Sequence, residues 1–511
     1  MNTKIRRQLS TRKRAIEERL DKTKFPSQCP VMAASNIQYE LSDRQQAIAA
    51  GGLGLIHSLV KNLGLDRSIN ENVPLFKIRL PYAESDHVLN IAYNLLAGGT
   101  CLEHLEYRRN DEAYLNALGA QRIPDPTTAG DFCRRHSETS ILKLMDVFNE
   151  VRRRVWSCQP KAFFDEAIIE ADGTMVETQG ECKEGIDVNH NGQWGYHPLV
   201  VSLANTGEPL YIANRGGSRP SHERAAGWLD RAIDVCRQAG FRQIRLRGDT
   251  DFSQTEHLDR WDDDKVLFVF GYDAMPNLYE RVDELGHDSW RPLKRKPRYK
   301  VQTKSRTRPK NVKQEVVEER EFKDLRLESE YINEFPYRPG ACKRDYRMVV
   351  LWKAIEVHQG QQYLFDERRC FFYITNDWET PAEDIVTQHA NKRCNQENVI
   401  QQLKSDVLAL TAPVDTFNGN WAYMVMASLA WSLKIWVALL VPEGRGVSSK
   451  QHQEKQSLLR MDFSTFRQAM INIPAQVLRS GRRLIYRLMG WNRWQITFHQ
   501  LWERLQHPLR C

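Results

Sequence analysis

Cysteine is sparse and scattered: ten residues in 511, no two closer than 24 positions. That spacing excludes CxxC redox centres, zinc ribbons and zinc fingers, and it argues against a disulfide-stapled secreted scaffold. Free thiols in a reducing cytosol are the expectation, and so a cytoplasmic protein. The basic amino terminus, MNTKIRRQLSTRKRAIEERL, is followed by no apolar stretch, which excludes a secretory signal. Internal repeats are absent. Only one long hydrophobic run occurs, Trp421 to Val441, with Lys434 as its single charge and Pro442 behind it. Its length would span a bilayer. With no second span, and with a lysine past its centre, it predicts a buried core helix and no membrane partner. Charge of one sign is only mildly in excess: 73 Lys+Arg against 65 Asp+Glu, a net +8. That balance alone does not establish a nucleic-acid partner, so the distribution of charge must decide.

What is present supports a large folded core. Apolar residues make up 41% and charged residues 27%, which rules out wholesale disorder. The length suggests about three domains. Residues 1–40 read as a basic, poorly packed arm. Residues 41–158 read as a helical domain, with apolar spacing over Asp43–Leu63 and again over Val88–Leu96 and Ile141–Val151. From 159 the pattern changes. AFFDEAIIEAD, YHPLVVSLA and EPLYIAN read as strands, AAGWLDRAIDVCRQA as a helix, and QIRLRGD as another strand, together an α/β core over 159–260. A strand-rich insertion follows over 261–375, then a second core part over 376–443. GRGVSSKQHQEKQ (444–456) reads as a linker and 457–511 as a helical basic tail.

Three acidic positions stand out. Alternation along IIEAD puts Glu170 and Asp172 on one strand face, and Asp172 ends the strand before Gly173-Thr174. QIRLRGD ends on Asp249 in the same way, and ligands gather at such carboxyl ends in open α/β sheets. In NKRCNQENVIQQLKSDV, a regular helix sets Glu397 and Lys404 about 20° apart in azimuth and Arg393 about 40° from Glu397. Each feature has an ordinary explanation, since Asp favours turns and i,i+4 charge pairs favour solvated helix faces. In combination, two strand-end carboxylates and one helix carboxylate suit a hard divalent ion such as Mg²⁺. Two such ions can activate a hydroxyl and stabilise the leaving oxygen of a phosphodiester. Arg393 and Lys404 would hold neighbouring phosphates.

Asp172 in EADGT, Asp249 in RGDTDF and the R-x3-E-x6-K of Arg393, Glu397 and Lys404 resemble the DDE transposases of bacterial insertion sequences. Their order and spacing, with a strand-rich insertion between the second Asp and the Glu, look most like the insertion-sequence group numbered 1380, and the similarity extends over GYHPL, NRGGS and FFYITN. The resemblance implies a ribonuclease-H-like core interrupted by a strand-rich insertion. Asp172, Asp249 and Glu397 would be the catalytic and metal-binding residues, with two Mg²⁺ ions and Mn²⁺ as a substitute. The implied activity is cleavage and strand transfer at terminal inverted repeats, with or without a hairpin intermediate. The helix motif of relatives commonly begins with Tyr where Ala390 stands, and D-S-G-F becomes D-T-D-F, which makes Asp251 a rival to Asp249. Glu170 is expected behind the metal-binding residues. Trp290 is a candidate to hold a flipped base, against the alternative of a core tryptophan.

The implied partner is double-stranded DNA, both element ends and target, bound by a homodimer. Arg291–Lys310 holds ten Lys/Arg and no acid, including Lys294, Arg295 and Lys296. From Ser464 onward eight Arg, Arg482 and Arg483 among them, accompany one acid, Glu503. Both stretches suit phosphate contacts that position DNA without reading it. Sequence recognition is expected from the amino-terminal 155 residues. A ribonuclease-H-like nuclease without strand transfer and a catalytically silent DNA-binding descendant remain alternatives.

Overall fold

The computed structural model describes residues 2–21, 34, 36–40, 45–79, 81–294, 326–358, 361–443, 450–481 and 483–507. Its centre is a nine-stranded mixed sheet. The strands are β1 (Glu166–Gly173), β2 (Leu199–Leu203), β3 (Glu208–Ala213), β4 (Gln243–Gly248) and β5 (Val266–Tyr272), then β6 (Arg291–Pro292), β7 (Arg326–Tyr337), β8 (Tyr346–His358) and β9 (Gln361–Thr375). Their order across the sheet is β6-β7-β8-β9-β5-β4-β1-β2-β3. β1, β4 and β5 are mutually parallel and every other pairing is antiparallel. The parallel strands sit mid-sheet, where both faces are covered, and this is why VLFVFGY reads as a near-continuous apolar run.

The long strands of the expected strand-rich insertion continue this sheet. β9 pairs with β5 from Phe372↔Tyr272 to Thr375↔Val269. β5 itself, inside the segment expected as insertion, is the third parallel strand of the core. Sequence patterning marks strands but does not say which edges they join.

Around the sheet lie α1 (Thr3–Leu20), α2 (Leu53–Leu63), α3 (Glu84–Leu96), α4 (Pro126–Arg134), α5 (Glu138–Trp156), α6 (Ala225–Ala239), α7 (Cys394–Gln401), α8 (Phe417–Leu439), α9 (Lys450–Arg460) and α10 (Gln495–Leu505). α6 packs on β1, β2 and β4, and α7 packs on β1. α8 carries most of the hydrophobic run. It is the one described helix long and apolar enough to cross a membrane, yet its apolar stretch is wholly enclosed by α3, α4, α5, α9 and β3. A polar knot fastens α8 and α5 to the sheet. The buried Glu208 carboxylate accepts from Arg152 Nε at 3.0 Å, Trp436 Nε1 at 2.9 Å, Trp156 Nε1 at 2.9 Å and Thr206 Oγ1 at 2.7 Å.

The amino-terminal arm is helical over its first part, and the carboxyl-terminal tail departs from the expected helical form. The first part of the basic arm is the helix α1. It buries Leu9, and its Arg12 donates to the carbonyls of Leu488 and Gly490 at 3.1 and 3.0 Å. The tail is not helical throughout. Ala475–Ser480 (β10) and Arg483–Leu488 (β11) form an antiparallel hairpin, and β10 also pairs with Ala47–Ile48. Gly481, at φ +61°, stands at the turn, a backbone geometry that glycine adopts without Cβ strain. Gly inside SGRR was the available signal, since it interrupts a helix and suits a hairpin loop.

Candidate active site

The parallel register of β1 and β4 builds the site. Glu170 lies level with Arg247. Two residues further on, each strand presents the same face again, so Asp172 and Asp249 emerge side by side at the carboxyl ends of neighbouring strands. Asp249 then caps the turn Thr250–Phe252, its carboxylate accepting the Asp251 backbone N–H at 3.0 Å. Glu397 arrives from α7, which is pinned by its neighbour in sequence. Gln396 is buried, donates to the Val200 carbonyl at 2.7 Å and accepts from the Ser202 hydroxyl of β2. Asp172, Asp249 and Glu397 thereby line one pocket with Glu170, Ala171, Arg247, Gly248 and Gln396. Its volume, about 30 Å³, is room for water-sized occupants.

Behind the three lies a buried ion pair. Glu170 Oε1 accepts from Arg247 Nε at 2.6 Å, while Glu170 Oε2 is buried with no hydrogen-bond partner. Burial pushes the Glu170 carboxyl up to about 7, against the opposing pull of Arg247. Arg245, one step earlier on the same face, is held by Glu166 at 2.7 Å and Asp377 at 2.8 Å. Four carboxylates therefore converge on a pocket whose nearest guanidinium is already paired. An oxygen-only donor set with one orphaned buried oxygen is chemically suited to a hard divalent cation. The side chains as they stand do not form a closed chelate. Among the described residues no three His, Cys, Asp or Glu are grouped tightly enough to hold an ion, and Glu397 is exposed.

The helix bearing Glu397 is not one regular α-helix. A π segment, Ile385–His389, and a 3-10 segment, Ala390–Arg393, precede α7, and a second π segment, Gln402–Asp406, follows it. The expected azimuths from 100° per residue therefore do not apply across 393–404. π segments recur at functional sites because they re-aim side chains. Lys404 lies in the second one, and its Nζ donates to the Met175 carbonyl at 2.6 Å. It thus ties the helix to the chain just beyond Asp172. Arg393 has its backbone in the 3-10 segment, and its side chain lies outside the described residues. Ala390 is buried among Val269, Leu351, Ile385 and Val386, a space that a tyrosine ring would have to displace.

Asp251 is exposed and lines a separate cavity with His222 and Asp273. Trp290 packs edge-on against Trp352 with ring centroids 5.4 Å apart, as a tryptophan of the strand-rich layer. Lys294 is exposed beyond β6 and Arg483 is exposed on the hairpin, whereas Arg295, Lys296 and Arg482 lie outside the described residues. Besides Gln396, two residues beside the site have no role assigned from sequence. His197 of GYHPL approaches Gly173 so closely that a Cβ there would meet its Cε1 at 2.5 Å. Arg215 of NRGGS donates to the carbonyls of His197, Pro220, Ser221 and Glu223. Together they brace the turn that carries Asp172, and the signal in sequence was two short motifs of unassigned role.

The structure shows similarity to the piggyBac transposase synaptic complex with hairpin DNA solved by cryo-EM, with a TM-score of 0.35 and 9% identity over 83% of this chain and 84% of that one. A likeness of that degree assigns neither a residue nor an activity. No curated protein sequence matches the chain. The family model described as "Transposase DDE domain group 1" matches residues 32–509, nearly the whole length. The chain belongs to the family of transposases with a group 1 DDE domain.

Proposed function

We propose that the chain is a metal-dependent transposase of an insertion sequence, of the group numbered 1380, whose ribonuclease-H-like core cuts DNA at terminal inverted repeats and joins the freed ends to new DNA. The observation that carries this reading is the meeting of Asp172, Asp249 and Glu397 in one pocket, although the chain brings them from positions 77 and 148 residues apart. These three residues would hold two Mg²⁺ or Mn²⁺ ions, with the Glu170–Arg247 pair fixing the strands behind them. Divalent ions bound there would make a water or 3′-hydroxyl a better nucleophile and offset charge on the leaving oxygen.

The chain's own residues do the positioning. Lys404 keeps donors beyond the one spent on Met175, and with Arg393 it would hold non-bridging oxygens of the strand being cut. Water attacks the phosphodiester at the element's end and releases a 3′-hydroxyl. That hydroxyl then attacks a phosphodiester of the target, or of the opposite strand in a hairpin route, forming a new P–O bond as the 3′-oxygen of the attacked strand leaves and takes up a proton. Lys294, Arg295, Lys296, Arg482 and Arg483 contact flanking phosphates, so binding weakens steeply with salt. Two ends held together require at least a homodimer.

Incubation with Mg²⁺ and an end-labelled duplex carrying the element's inverted repeat tests this reading. Joined or hairpin products are expected, and Asp172→Asn should remove them while leaving the DNA mobility shift intact. Cutting by the Asp172→Asn protein at the unsubstituted rate refutes the site.

A further inference from the structure

A second cavity, of about 570 Å³, opens in the helical amino-terminal region, between the segment following the helix Leu65–Asn72 and the helices α3 and α4. Its volume is in the range of small-ligand sites. Its walls combine aromatic rings with the aliphatic Leu75, Ile78 and Pro81. His87 and Phe132 stack face to face with centroids 4.3 Å apart and planes 9° apart. Phe76 leans on both at 5.5 and 5.7 Å, and Tyr82 stands edge-on to His87 at 5.6 Å. His87 and Phe132 are buried, whereas Phe76 and Tyr82 are only half-buried and present ring surface to the cavity.

The cavity also has a polar edge and a charged mouth. His87 is 2% exposed, and its Nδ1 has no hydrogen-bond partner. Burial holds the ring down to about 4, so at neutral pH it is an uncharged imidazole with an unspent hydrogen-bonding atom. At the rim, Arg135 lies over the Phe76 ring at 5.5 Å and Lys77 is exposed. The Asp131 carboxylate also lines the cavity.

From this arrangement we infer that the pocket binds an unpaired nucleotide of DNA, its base against the half-buried rings of Phe76 and Tyr82, which the buried His87–Phe132 pair backs, and its phosphate at Lys77 and Arg135. Flat ring surface, one buried directional polar atom and cations at the entrance match the three parts of a nucleotide: the face of the base, its edge and its phosphate. Trp290, on the strand-rich layer, is not part of this cavity. The inference rests on DNA being the partner, but not on the cutting chemistry.

The test uses the full chain in EDTA, so that no cutting intervenes. Two duplexes of equal length are compared, one with a single 2-aminopurine bulge and one fully paired. The bulged duplex should bind at least about tenfold tighter, with its fluorescence quenched by stacking. Phe76→Ala should reduce the preference to under threefold without changing affinity for the paired duplex. Lys77→Glu, an exposed change that leaves the packing intact, should reduce it several-fold. Equal binding of the two duplexes overturns the inference, and so does a preference unchanged in the Lys77→Glu protein. Competition by free dAMP with an affinity equal to that of the bulged duplex would assign the pocket to a free nucleotide and overturn it as a DNA contact. Because no divalent ion is present, these outcomes are independent of whether Asp172 supports cleavage.

Discussion

Lys434 offers a quantitative test of how α8 is held. The side chain is fully buried in the carboxyl-terminal half of an apolar helix, with its Nζ donating to the Leu459 carbonyl at 2.7 Å and lying 4.2 Å from the Trp431 ring centroid. One hydrogen bond and one ring do not replace the hydration of an ammonium. Burial therefore pulls the amine down to about 7 from its ordinary 10.5, with the Asp462 carboxylate opposing. Between about pH 7 and 10.5 the unfolded chain carries the proton and the folded chain does not. Unfolding then takes up a proton, so stability rises with pH across that window. Below it both states are protonated, and the fold bears the full cost of the buried charge. Three and a half pH units at 1.36 kcal/mol each make that cost about 5 kcal/mol. Lys434→Met, of similar length and without charge, should remove the pH dependence and raise stability near pH 7 by a few kcal/mol. Urea midpoints of both proteins at pH 7, 8, 9 and 10 measure it, the difference between the two isolating Lys434 from every other titrating group. Parallel pH profiles for the two proteins would refute the assignment of a displaced proton to this amine.

Three further outcomes follow from the geometry. Asp249→Asn should abolish DNA cleavage, while Asp251→Asn, whose carboxylate lines a different cavity, should keep activity within a few-fold; gel assays of both separate the rivals. Gly173→Ala would press a Cβ against His197 and against Ser221 Oγ at 2.9 Å, so cleavage should fall at least about a hundredfold, the scale of an ångström-sized misplacement, with the DNA shift preserved. Glu208→Ala strands the buried Arg152 guanidinium and two indole N–H groups; urea unfolding should show a loss of about 3–5 kcal/mol, and a loss below 1 kcal/mol would mean that the knot contributes little.

How much of the site was legible varies by residue. Asp172 and Asp249 could be read from strand-ending patterns because period-2 alternation and a turn are local properties. Glu170 was legible as a same-face neighbour, and its pairing with Arg247 then followed from register, which the sequence does not state. Glu397 was placed on a helix, but the flanking π and 3-10 segments were not visible, since periodicity assumes one constant twist. Gln396, His197 and Arg215 carry no pattern of their own. Gln396 bonds to the Val200 carbonyl of β2 and the His197 ring abuts Gly173, contacts that no linear spacing encodes.

Taken alone, the amino-acid order determined an α/β protein with a buried apolar helix, two carboxylates ending strands, a third on a helix, and basic ends. These depend on interactions between residues a few positions apart. Tertiary structure decided that the interposed strands extend the core sheet, that the tail turns back as a hairpin against α1, and that the three carboxylates share one pocket. Strand partners and pocket walls are chosen by which surfaces bury one another across hundreds of residues, a competition that local patterning does not record.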